Sequence, residues 1–191
     1  MKTGMISEQN ASLDEHVELT AESSGALAEA LGQSEHEVRR VRLAAKLHDV
    51  GKTAIPASIL DKPGPLDEQE WEFMRRHPLI GERIVLAAPA LANTAPLIRS
   101  SHERIDGHGY PDGLAGENIP LGARIIAVCD AYHAMTSDRV YRPSMSIDAA
   151  LQELRCHAGT QFDATVVAAF CRLQPRQYSH GERRPPIRVP G

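Results

Sequence analysis

His48 and Asp49 stand side by side in the run Leu47-His48-Asp49-Val50-Gly51-Lys52, at the end of an apolar helical pattern. His77, His102 and Asp130 follow, each in a helical context. Imidazole and carboxylate together suit iron, manganese, zinc, nickel or cobalt better than magnesium or calcium, which prefer all-oxygen shells. A carboxylate can bridge two ions and an imidazole cannot. An adjacent His-Asp pair therefore suits a centre in which one residue holds a single ion and the next is shared. Two ions roughly 3.5–4 Å apart can clamp a phosphoryl oxygen, the geometry of phosphate-ester hydrolysis. Any one of these histidines alone is more often a structural residue. Asp130 weighs more, because it follows Ile125-Ile126-Ala127-Val128, where an unpaired carboxylate is costly to bury. Either it faces a cation or metal, or that helix face is exposed.

Other residue types suit a phosphate-bearing substrate. Lys52, just past the helix stop expected at Gly51, can neutralise a phosphate. Arg139 and Arg142 carry planar cationic forks suited to phosphate or guanine edges, and Tyr141 between them can stack on a base. In Asp106-Gly107-His108-Gly109-Tyr110-Pro111 the glycines permit positive φ and close backbone approach, and Tyr110 offers a hydroxyl or a stacking face. A solvated turn or a tight loop is the bland alternative for each segment taken alone.

The elements that must position these residues read as helices. A helical pattern runs from about Leu13 to Leu31. Ser34 with Glu37 reads as a capping box for a helix carrying His48 and Asp49 in its last turn. Asp67 with Glu70 opens another, which meets a junction at His77-Pro78. Leu91 to Ser101 reads as one helix, and residues 106–120 as a structured loop. Leu121 to Met135 is a strongly apolar helix, Ser146 caps the next, and Asp163 opens the last, to about Leu173. Strand-type alternation is scarce, so the expected class is all-α. The expected organisation is a disordered start over 1–12, one domain over 13–174 and a disordered Pro/Arg-rich tail over 175–191.

Composition bounds the partners. The chain has 191 residues and a formal charge of −4 with histidines neutral, which argues against a nucleic-acid coat or a membrane-surface protein. No stretch is long and apolar enough to span a bilayer, and no secretion-signal pattern opens the sequence. Cys129, Cys156 and Cys171 show no paired spacing, which fits a reduced, cytoplasmic setting. Cys129 beside Asp130 reads as a core residue before it reads as a soft ligand.

Taken in order, these motifs are similar to one family. His48-Asp49-Val50-Gly51-Lys52, Ile55-Pro56, Lys62-Pro63-Gly64-Pro65-Leu66, His77-Pro78-x-x-Gly81, His102-Glu103-x-x-Asp106-Gly107-x-Gly109-Tyr110-Pro111, Asp130-Ala131 and Thr136-Ser137-Asp138-Arg139 resemble the HD-GYP domain family. These are cyclic di-GMP phosphodiesterases within the HD phosphohydrolase superfamily, and the resemblance covers about His16 to Leu173. It implies an all-α HD-domain bundle with a Gly/Pro-rich loop. It implies His48, Asp49, His77, His102 and Asp130 as metal ligands, with Asp49 the bridge and Asp49 and Lys52 at the chemistry. Lys52, Tyr110, Arg139, Tyr141 and Arg142 fall where the family contacts the dinucleotide. The implied cofactors are two divalent ions, iron or manganese foremost, with nickel, cobalt or zinc as further candidates. The implied activity is hydrolysis of cyclic di-GMP to linear pGpG, with GMP as a further product. The alternative is a degenerate module that binds cyclic di-GMP, or docks a GGDEF-type cyclase domain through Gly109-Tyr110-Pro111. Four departures stand out: Ser101 where the family has a first histidine, Ser12 where three-metal members carry a glutamate one turn before His16, Val140 for a proline and Gln161 for a histidine.

Overall fold

The computed structural model describes the backbone of residues 2–137 and 143–178, and the side chains within 14–137 and 143–174. Among the described residues there is no strand; only isolated bridges join Asp106 to Ala115 and Ala158 to Phe162. The helices are α1 (Lys2–Ala30), α2 (Glu35–Leu47), α3 (Ala57–Leu60), α4 (Glu68–Met74), α5 (His77–Leu86), α6 (Ala95–Arg99), α7 (Leu121–Thr136), α8 (Ile147–Cys156) and α9 (Ala164–Tyr178). The all-α expectation holds. Helix α1 starts upstream of the expected Leu13. Most of the tail expected from 175 lies outside the described residues.

Helix α1 packs along α2 and α7, and α7 in turn meets α8 and α9. Leu27 of α1, Val41 of α2, Ile98 of α6, Ile125 and Ile126 of α7, Leu154 of α8 and Phe170 of α9 are sealed from solvent in one core. Each such side chain contributes roughly 1.5–3 kcal/mol by leaving water. Cys129 is wholly buried among them, as the core reading expects, and its thiol is pushed up to about 12, chiefly by burial.

Local signals set most helix ends. The Ser34 hydroxyl accepts from the Glu37 amide, but Glu37 turns to Arg40 instead of completing the expected box. The box at Asp67 and Glu70 is complete, and Lys62 anchors the same glutamate. Ser146 and Asp163 cap α8 and α9. The expected helix from Leu91 to Ser101 is divided: a 3-10 turn over Ala92–Thr94 precedes α6, which has Pro96 in its first turn. Proline lacks the N–H that would extend a preceding helix but fits the opening turn of a new one.

The expected stop at Gly51 takes a different form. Helix α2 ends at Leu47, His48 is its C-terminal cap, and Gly51 lies inside a 3-10 turn over Val50–Ala54. Glycine is required there because a Cβ would come within 1.9 Å of the His77 carbonyl oxygen. That contact lets the segment after Asp49 lie directly against the start of α5, which brings His77 to Asp49.

Candidate metal centre

Two histidines are oriented by their own helices. His48 Nδ1 meets the Ala45 carbonyl oxygen at 2.8 Å, and His77 Nδ1 meets that of Met74 at 2.8 Å. A ring whose Nδ1 is held by a backbone carbonyl turns its Nε2 outward, the orientation of metal-ligating histidines. Both side chains are almost fully buried. His102 is held differently: its ring stacks on Tyr110, with centroids 5.2 Å apart and planes inclined by 10°.

These imidazoles converge on Asp49. Its Oδ1 lies 3.3 Å from His77 Nε2 and 3.8 Å from His102 Nε2. Its Oδ2 lies 3.5 Å from His48 Nε2 and 2.6 Å from Lys52 Nζ. His48 Nε2 is 3.6 Å from Asp130 Oδ1, which in turn is 3.1 Å from His16 Nε2. All five residues expected as ligands are therefore brought together, from α2, α5, α7 and the loops after α2 and α6. Helix α7 buries its apolar face and turns a half-buried Asp130 to this cluster, beside His16 and His48.

Four buried atoms of the cluster form no hydrogen bond: His48 Nε2, Asp49 Oδ1, His77 Nε2 and His102 Nε2. Orphaned buried polar atoms are costly, and here all belong to metal-ligating residue types aimed at one another. The donor atoms of Asp49, His77 and His102 lie within 4.8 Å of one another, a spacing that bonds of about 2.0–2.2 Å can draw onto one ion. The residues fit a divalent metal. Burial opposes charge on His48, but Asp49 and then Asp130 outweigh it and push its pKa up to about 9. Burial likewise opposes ionisation of Asp49, yet the charge of His48 and the imidazoles of His102 and His77 hold the carboxyl far below its usual range. Burial lowers the His102 pKa against the pull of Asp49, and the charges of His77 and His48 lower it further.

Above the cluster lies a cavity of about 600 Å³ whose walls include His102, Asp130, Tyr110, Trp71, Arg75 and Gln161. Tyr110 arrives there by way of Gly109. A Cβ at Gly109 would stand 2.4 Å from the Arg104 amide and 2.5 Å from Glu103 Cα, so the glycine serves a close approach to the chain's own backbone. The buried Glu103 carboxylate accepts from the Asp112 and Leu114 amides at 2.7 and 3.1 Å and fastens the loop from inside. Arg99 fastens it from outside, with two bonds to Asp112 and one to Glu82.

Ser101 borders the cavity, but its hydroxyl donates to the Ile98 carbonyl oxygen at 2.9 Å. His108 stands exposed at the rim, 3.5 Å from Asp106. Arg139, Tyr141 and Arg142 lie outside the described residues. The structure adds His16, absent from the expected ligand set. In the sequence it is marked only by its match to the histidine of three-metal members; on α1 it precedes Thr20, Ser23 and Ser24, all buried. Ser23 meets His133 at 2.8 Å.

A family model described as HD domain matches residues 1–166. The chain is 44% identical over 172 residues to the cyclic di-GMP phosphodiesterase response regulator RpfG of Xanthomonas campestris pv. campestris, an alignment covering 86% of this chain and 46% of that protein. It is 40% identical over 161 residues to a cyclic di-GMP phosphodiesterase of Thermotoga maritima, covering 83% and 44%. Among solved structures, a cyclic GMP-AMP-specific phosphodiesterase of V. cholerae, V-cGAP3, superposes with a TM-score of 0.68 at 21% identity, over 86% of this chain and 45% of that one. That likeness speaks for the fold. The chain spans less than half the length of each of these three proteins.

Proposed function

The chain belongs to the HD domain family, in its HD-GYP branch, and we propose that it hydrolyses a 3'-5' phosphodiester bond of cyclic di-GMP to give linear pGpG. Two divalent ions, iron or manganese foremost, are the cofactors in this reading. His77, His102 and Asp49 would hold one, and His48, Asp130 and Asp49 the other. Bound there, such ions supply Lewis-acid polarisation of a phosphoryl oxygen and a water acidic enough to act as a nucleophile.

The chain's own residues do the rest. Lys52, on Asp49, brings a fixed positive charge to where negative charge builds on the phosphoryl group. Burial, then the charges of Asp49 and Asp130, push the Tyr110 phenol up to about 12. It therefore stays protonated and can donate a hydrogen bond to a phosphate oxygen. Arg139, Tyr141 and Arg142 would contact the rest of the dinucleotide. The three cysteines are free, which fits a reducing cytoplasm.

One observation carries the proposal: the convergence of three orphaned imidazole nitrogens on Asp49, whose own Oδ1 is orphaned too, beneath a cavity bordered by His102 and Asp130. Metal analysis of anaerobically purified protein tests it. About two ions per chain is the count a two-metal phosphoester site needs, and one or none contradicts it. The bond from Ser101 to Ile98 favours a second reading, since it leaves the position without a ligand. In that reading the domain binds cyclic di-GMP, or a GGDEF-type partner, without turnover. Tight calorimetric binding with no product would support it.

A further inference from the structure

Helix α4 buries none of its residues, yet its start is secured by a complete capping box and by Lys62. Its outward side chains are unusual for a surface. Trp71, the chain's only tryptophan, is 42% exposed, and the Arg75 guanidinium lies over its ring, 5.8 Å from the centroid. Both border the cavity that opens onto His102 and Asp130. The charge of Arg75 also acts on the Tyr110 phenol. An anchored helix thus holds an open indole and a cation at the rim of a phosphoester site, where neither packs into the core.

Resting on the phosphodiesterase reading, we propose that Trp71 and Arg75 form a nucleobase shelf. One purine of a cyclic dinucleotide stacks on the Trp71 indole, with Arg75 supplying positive charge at the same rim. An indole face is sequence-tolerant but demands a base, and Arg beside a stacked base adds attraction. The shelf would select dinucleotides over small phosphodiesters. Trp71 is a binding residue in this account and does not touch the reacting atoms.

Because Trp71 is the single tryptophan, its fluorescence reports directly on the shelf. Metal-loaded protein is titrated with cyclic di-GMP and, separately, with inorganic phosphate. Quenching that saturates with cyclic di-GMP but not with phosphate is expected. In parallel, Trp71→Ala and Trp71→Phe are assayed with cyclic di-GMP and with methyl 4-nitrophenyl phosphate, a small diester without a nucleobase. The alanine variant should raise KM for the dinucleotide roughly ten-fold, the scale of one lost stacked base. It should change kcat and small-diester turnover less than two-fold, and the phenylalanine variant should recover most of the affinity. Equal quenching by phosphate, or an unchanged dinucleotide KM in the alanine variant, would overturn the shelf. Quenching without hydrolysis would leave the shelf standing and remove the phosphodiesterase reading, so the two failures are separable.

Discussion

Lys52 Nζ sits 2.6 Å from Oδ2 of Asp49, while Oδ1 of the same carboxylate faces His77 and His102 with no hydrogen-bond partner. One carboxylate thus divides its two oxygens between a lysine ammonium and a pair of imidazole nitrogens. This division predicts separable roles. Lys52→Met should leave metal content near that of the parent and lower kcat about 10²–10³-fold, the loss typical of one missing charge-stabilising donor. Asp49→Asn should lose both metal and activity. Metal analysis beside kinetics checks this, and loss of metal in the lysine variant would contradict it.

Ser101 gives a gain-of-function prediction. It is nearly sealed from solvent, borders the cavity and spends its hydroxyl on the Ile98 carbonyl. Ser101→His should place an imidazole beside the centre and tighten metal binding on the order of ten-fold, the scale of changes around a metal site. Competition with a chelator measures this, and unchanged affinity would show that the position lies out of ligand reach.

Glu103 should act through the loop. Glu103→Ala leaves the Asp112 and Leu114 amides without their buried acceptor. Hydrogen bonds to a charged group are worth about 1.5–3 kcal/mol each, so urea unfolding should show a loss of at least about 2 kcal/mol. Tyr110 should lose its fixed place on His102, raising KM for the dinucleotide. A variant of parental stability would contradict the clamp.

His133 predicts acid sensitivity of the metal-free protein. Burial, and then the charge of His16, lower its pKa from 6.5 to about 4. Between these values the unfolded chain binds the proton and the folded chain does not, so stability rises with pH across the window. It is complete above about 6.5 and falls as pH drops towards 4. At pH 5 the difference corresponds to about 2 kcal/mol. Urea midpoints at pH 7.5 and pH 5, compared with those of His133→Gln, read this contribution. An equal drop in both proteins would remove His133 as its source.

Much of this arrangement was legible in the sequence because chemistry and local geometry coincide there. Asp67 with Glu70 and Ser146 announce their caps, and Asp130 at the end of an apolar run stands out as a carboxylate that needs either a partner or an exposed face. Less legible were features that depend on contacts between distant segments. Gly51 reads as a helix stop, but its need arises from the His77 carbonyl. Gly109 reads as room for a ligand, but its close neighbours are Glu103 and Arg104. His16 could not be paired with Asp130, because nothing local in α1 reports what α7 presents 114 residues later. Trp71 lies in the helix that Asp67 and Glu70 open, and nothing local tells that this helix buries none of its residues.

The central claim is that the Asp49-centred cluster performs phosphodiester hydrolysis. The most direct measurement follows cyclic di-GMP by chromatography in the presence of protein loaded anaerobically with iron or manganese. Conversion to pGpG is expected, and it should be absent with Asp49→Asn. Intact cyclic di-GMP after prolonged incubation with protein loaded in turn with iron, manganese, cobalt and nickel would contradict it.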